Sequence, residues 1–246
     1  MRPRSTLSTV SRGRLGRLAV VVVAVVFAAG CGGTRNGGSE DTAPRTVHVE
    51  RLAAGPVRTT EGWGSYGDAV VVAHVIESVE VAPTDEEVET GGGMIDRMVT
   101  FAVEEVLWQR EGGPEAPDTF TDGQLGWVFD ETGRARIESD AMAWVESGKR
   151  YLMPLAVWAD GEWGSLTSIE LTDGGVPALD APQRAEVAGE PDDVPEGAVE
   201  MLAGGTLDGV AAELEATEPD PTAAANFHLD PIARSEAVAE TMPVGE

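Results

Sequence analysis

From Ala69 to Ile76 the chain is apolar and β-branched but for His74, and it then alternates through Glu77-Ser78-Val79-Glu80-Val81. A continuous apolar run belongs to a strand buried on both faces, and alternation to a strand buried on one. The pattern therefore predicts one long strand over Asp68 to Val81, central at its start and half exposed at its end. Pro83 to Asp96 is acidic, contains Gly91-Gly92-Gly93 and reads as a mobile loop. Met98 to Trp108 predicts a second strand, with Val99, Phe101, Val103 and Leu107 on one face and Glu105 as the interruption. Thr119 to Phe129 reads as another strand, or as a pair broken at Asp122-Gly123. Lys149 to Trp158 then turns at Asp160-Gly161 into Glu162 to Leu171, and Asp173-Gly174 turns that into Val176 to Leu179. Two Asp-Gly turns in series predict a three-stranded meander. Pro154 belongs at an edge or a bulge, where its missing N–H is not needed.

The flanks have a different pattern. Five arginines (Arg2, Arg4, Arg12, Arg14, Arg17) and no acidic residue precede the ten apolar residues Leu18 to Phe27. A spanning helix needs roughly 20, so the run reads as the core of a signal peptide. It ends in Ala28-Ala29-Gly30-Cys31, which resembles the cleavage and lipidation signal of bacterial lipoproteins. That resemblance implies a diacylglycerol on Cys31, the only cysteine of the chain. In an oxidising exterior a lone thiol is an unpaired liability that acylation removes, and two acyl chains give stable anchoring. Gly32 to Asp41 reads as a flexible tether. Beyond Ala181 an acidic, Pro-rich connector leads to a short helix capped by Thr206, with Leu207, Val210 and Leu214 on one face. Past Glu218 the composition predicts a largely disordered tail, with a weak helix near Ile232 to Glu240. The expected division is a signal peptide over 1–30, a tether over 31–61, a β-barrel domain over 62–181, connector and short helices over 182–218, and the tail over 219–246.

Charge narrows the partners. The chain carries 43 acidic and 17 basic residues, a formal net charge of −26. Without the five leader arginines, 12 basic residues face 43 acidic ones on a 216-residue mature chain, a formal charge of −31. Such a field repels nucleic acid and anionic headgroups, so nucleic acid is excluded as a partner and contact with the membrane falls to the lipid. Lys149 is the only lysine, and arginine takes its place elsewhere, with heavy use of Ala, Val, Gly and Glu.

A resemblance can be placed on Asp68-Ala69-Val70-Val71-Val72-Ala73, Val103-Glu104-Glu105-Val106-Leu107, Gly148-Lys149-Arg150-Tyr151-Leu152-Met153-Pro154-Leu155 and Asp173-Gly174-Gly175-Val176. Over Tyr66 to Leu179 the chain resembles exported proteins and lipoproteins of actinobacteria. The resemblance implies a small, partly closed β-barrel, similar to OB-fold or netrin-like modules, and brings no activity with it. The cysteine pairs of netrin-like modules are absent.

Motifs for chemistry are few. Gly62-Trp63-Gly64-Ser65-Tyr66-Gly67 matches G-x-G-x-x-G, but a phosphate-binding turn needs a strand before it and a helix after it, and here a strand follows. It reads as a flexible lead-in. Of His48, His74 and His228, only His74 falls in a predicted strand, where its spacing with Val70, Val72 and Ile76 reads as a packed or barrel-lining imidazole. The His and Cys supply does not reach a zinc site. Asp118 to Asp122 imitates the start of a calcium loop, but Phe120 and Phe129 occupy ligand positions. Glu104 and Glu105 point to opposite faces of a strand, which removes them as a glycosidase pair. Of six tryptophans, Trp158 and Trp163 flank the Asp160-Gly161 turn, and with Trp108 and His74 they are the candidate binding surface. The expectation is a mainly β, OB-like barrel with a short C-terminal helical appendage and disordered termini. It is held at the extracytoplasmic face of the cell membrane by Cys31, binds an envelope protein, peptide or small molecule, and uses no cofactor or metal. The alternative is an envelope hydrolase working through carboxylates.

Overall fold

The computed structural model describes residues 45–48, 57, 59–139, 143–178 and 202–241. The leader, Cys31, and most of the tether and acidic connector lie outside the described residues. Eight strands are present: β1 (Thr46–His48), β2 (Ala69–Glu80), β3 (Gly93–Gln109), β4 (Thr119–Asp130), β5 (Gly133–Glu138), β6 (Arg150–Val157), β7 (Trp163–Ser165) and β8 (Ile169–Glu170). With them go the helices α1 (Thr60–Tyr66), α2 (Asp85–Thr90), α3 (Leu207–Ala216), α4 (Pro221–Ala225) and α5 (Pro231–Thr241). The fold is mainly β, one sheet in the order β1-β5-β4-β3-β2-β6-β7, with β8 also pairing with β6. No helix among the described residues is long and apolar enough to cross a membrane.

The apolar run of β2 has the consequence its pattern predicts. Val70 and Val72 enter one cluster with Trp63, Leu152, Val210 and Leu214, while Ala69, Val71, Ala73 and Val75 enter another with Val99, Phe101, Tyr151 and Met153. β2 is thus the partition between two cores, one inside the curl of the sheet and one under α1 and α3. Beyond Val75 every residue to Glu80 is exposed, more than the half exposure the alternation predicts.

The curl is not completed by a strand ladder. Across the gap between β4 and β7, the Asp122 carboxylate accepts from the Ser165 amide at 3.0 Å and from the Ser165 hydroxyl, and Gln124 donates to Asp122 at 2.9 Å. The barrel is therefore partly closed, with side chains bridging the opening. Pro154 lies inside the sheet, yet its constraint is respected. Leu155 O accepts from Asp68 N on the β2 side and Pro154 O accepts from Leu166 N, so the proline nitrogen faces the break between β7 and β8.

Of the two readings of Thr119 to Phe129 the structure has the single strand: β4 is continuous through Asp122-Gly123, and its irregularity comes at Gly126, where a Cβ would stand 1.9 Å from Ile95 O. Elsewhere the structure departs from the sequence pattern. The expected meander is a hairpin whose returning strand is split into β7 and β8, both paired with β6, and Val176 adds no third strand. The Pro83 to Asp96 segment holds α2, built on a capping box between Thr84 and Glu87, and the start of β3. Gly62 to Tyr66 belongs to α1, with Gly67 as its C-cap; the helix is capped by Thr59 and fixed by burial of Trp63, whose indole N–H donates to Val57 O at 2.8 Å.

In the tail the helix expected near Ile232 to Glu240 is present as α5, but the segment is ordered over Glu218 to Thr241 and packs against the barrel domain through α4 and α5. Arg234, 1% exposed, donates to Ser65 O and Tyr66 O and reaches Asp68 Oδ1 at 3.2 Å. Arg110 binds the same oxygen through Nε at 3.0 Å, and the Val157 amide donates to Asp68 Oδ2 at 2.8 Å. Phe227 lies under both guanidinium groups, 4.5 Å from that of Arg110 and 5.5 Å from that of Arg234. Burial lowers the pKa of Arg234, and Asp68 pulls it back up.

Candidate binding surface

The outer face of β2 and β3 changes character along its length. At the β2 start, α1 and α3 cover Val70 and Val72. In the middle stands a polar chain: His74 Nδ1 lies 2.9 Å from Glu104 Oε1, and Arg150 Nε donates to Glu104 Oε2 at 2.6 Å. Past it the face is bare. Val79 pairs directly with Met98, and Val81 and Met94 extend the same face, because alternate residues share a side. Val79 is 52% exposed and Met98 41%. A register shift between Val75 and Glu77 inserts Ile76 as an extra residue, 53% exposed, which kinks the strand at the border of the bare zone.

The opposite face of this ribbon is filled. Arg97 is buried, donates to Val145 O at 2.7 Å, and lies over Trp144 at 4.1 Å, with Arg136 at 4.3 Å from the same ring. Trp144 meets Trp127 edge-on at 5.1 Å, and Arg134 covers Trp127 while binding Glu80 at 2.9 Å. Burial first, and then the neighbouring Arg136 charge, lower the pKa of Arg97. This layer backs the ribbon from within, with guanidinium groups over both Trp127 and Trp144. The other side of the ribbon carries the exposed apolar side chains.

At the tip, α2 adds charge. Thr84 N donates to Glu87 Oε2 at 2.8 Å and Met94 N to Glu87 Oε1 at 3.1 Å. The Thr84 amide, then the Met94 amide and the Thr84 hydroxyl, hold the Glu87 carboxyl below the usual glutamate range. Val88, 59% exposed, is the one apolar residue of this turn.

The four residues singled out from sequence do not form one surface. Trp108 packs against the cluster under α1 and α3, and Trp163 against the cluster inside the curl, on the other side of β2. The indole of Trp158 lies on Gly164, where a Cβ would meet its Nε1 at 2.3 Å. His74 shares its face with Val70 and Val72 as the spacing required, but that face is the outside of the barrel, so the imidazole does not line the interior. It alone of the four borders the bare ribbon. Ile76, Val79 and Met98 escaped notice because apolar residues in a strand are ordinarily core. The available signal was the alternation of Val79 and Val81 with glutamates in a segment with no basic residue.

Among the described residues no group of three or more His, Cys, Asp or Glu is placed to hold a metal ion. Asp122, in the imitation calcium loop, spends its carboxylate on Ser165 and Gln124. No family model matches the chain, and neither a curated protein nor a solved structure matches it.

Proposed function

We propose that the protein is a lipid-anchored module of the extracytoplasmic membrane face that acts by binding a protein or peptide, and that the outer face of the β2–β3 ribbon is its contact surface. The observation that carries this reading is the bare apolar stripe of Val79, Met98, Val81, Met94 and Ile76, half exposed on a ribbon held rigid from behind. A well-supported sheet face that leaves large apolar side chains in water is a surface suited to a partner. The filled interior points the same way: Val71, Val99, Phe101, Tyr151 and Met153 are fully buried inside the curl, where a ligand-carrying barrel would keep a cavity. His74, the best candidate for a base, faces outward with one carboxylate, Glu104.

Two measurements test the two halves. Labelled fatty acid is expected on the wild-type protein and not on Cys31→Ser; absence of label from the wild type refutes the anchor. The double substitution Val79→Glu with Met98→Glu is expected to abolish capture of the envelope partner bound by the wild-type full chain, with the melting temperature unchanged. Undiminished capture by that variant removes the ribbon as the contact surface.

A further inference from the structure

We infer that the partner segment is a cationic peptide that binds in extended form, adding a strand to the open edge of β2 beyond His74; this rests on the ribbon being the contact surface. β6 pairs with β2 only as far as His74, and past the single bridge from Val75 to Ser147 no described strand lies on that edge. Val81 N donates to Asp96 O, toward β3. Alternation then turns the backbone groups of Ser78 and Glu80 to the open edge, where an added strand would find them. Main-chain pairing supplies affinity in this mode of recognition, and alternate side chains of the peptide settle on the neighbouring face, here Ile76, Val79 and Met98.

Charge selects the occupant. Residues 76–96 contain seven acidic residues and no basic one, and they form the open edge, the turn α2 and the start of β3. A second copy of this chain pairing edge to edge would bring Glu77 and the carboxylates of α2 toward their counterparts, Glu80 being paired with Arg134, and like charges disfavour that pairing. An acidic or neutral strand gains nothing from the field, whereas arginine or lysine side chains alternating with apolar ones meet carboxylates on the rim and apolar groups at the centre.

The test uses the detergent-solubilised full chain and a short peptide alternating arginine and valine, with three comparisons: the same peptide carrying glutamate for arginine, the arginine peptide N-methylated at alternate backbone amides, and the protein variant Glu77→Lys/Glu86→Lys. The expected result is binding of the arginine peptide with slowed exchange of the Ser78 and Glu80 amides, at least about tenfold weaker binding of the glutamate peptide and to the variant, and loss of binding on N-methylation. Equal binding of the two peptides, binding that survives N-methylation, or protection elsewhere overturns the inference. If the arginine peptide does not bind while Val79→Glu/Met98→Glu still abolishes capture of the envelope partner, strand addition is wrong and the ribbon stands. If that capture is also unchanged, the binding surface itself is wrong.

Discussion

Asp68 is 1% exposed and faces two guanidinium groups, those of Arg110 and Arg234, on the same carboxylate oxygen. A buried carboxylate with this set of donors is costly to disrupt singly, because removing it leaves buried positive charge without a counterion. Asp68→Asn is therefore predicted to cost about 3–5 kcal/mol in denaturant unfolding, and a loss below about 1 kcal/mol would contradict the role given to the pair. Glu87 makes a pH-dependent prediction. Its carboxyl is held below its usual value by amide and hydroxyl donors, so the stabilisation is complete above the usual value and lost as pH falls through the lowered native one. The protection factor of the Met94 amide, the unstructured exchange rate at the same pH relative to its own, is predicted to fall on acidification across that window, and in Glu87→Gln that dependence should vanish. Neither site was legible in the sequence. Asp68 looked like a strand-leading acid, Arg234 lay in a segment of tail composition, and their partnership spans 166 positions.

At the scale of elements, the chain announced what periodicity controls. β2 followed from its valines, and α3 from Thr206, Leu207, Val210 and Leu214. The tail was misjudged because its composition is poor in large apolar residues, although its helix starts were written plainly. Asp220-Pro221 and Asp230-Pro231 each place a capping carboxylate before a proline in the first turn, and both carboxylates accept from the amides two and three residues on. α1 escaped for the opposite reason: its two glycines within seven residues argue against a helix, and burial of Trp63 and Tyr66 overrides them. Limited proteolysis of the full chain is accordingly predicted to leave a resistant fragment that reaches about Thr241, and early cleavage between Glu218 and Thr241 would show that the tail is not docked. Gly126→Ala should lower the melting temperature, since no rearrangement of a side chain relieves a contact with the Ile95 carbonyl.

For the whole molecule, the two flanks of the β2–β3 sheet divide the work. One end is closed by helices and the Asp68 ion pairs, and the other projects a rigid apolar face edged with carboxylates. The field of the strongly negative chain favours association with groups of the opposite charge. The proposed contact surface was only half legible: alternation showed that Val79 and Val81 share a side, but that nothing among the described residues covers this side is a fact of how the sheet and helices pack. Hydrogen exchange of the detergent-solubilised full chain, compared with and without envelope extract, tests the claim most directly. The predicted result is protection confined to residues 76–81 and 93–100, lost in Val79→Glu/Met98→Glu; protection confined to the β6–β7 hairpin or to the surroundings of His74 and Arg150, with the ribbon unchanged, would contradict it.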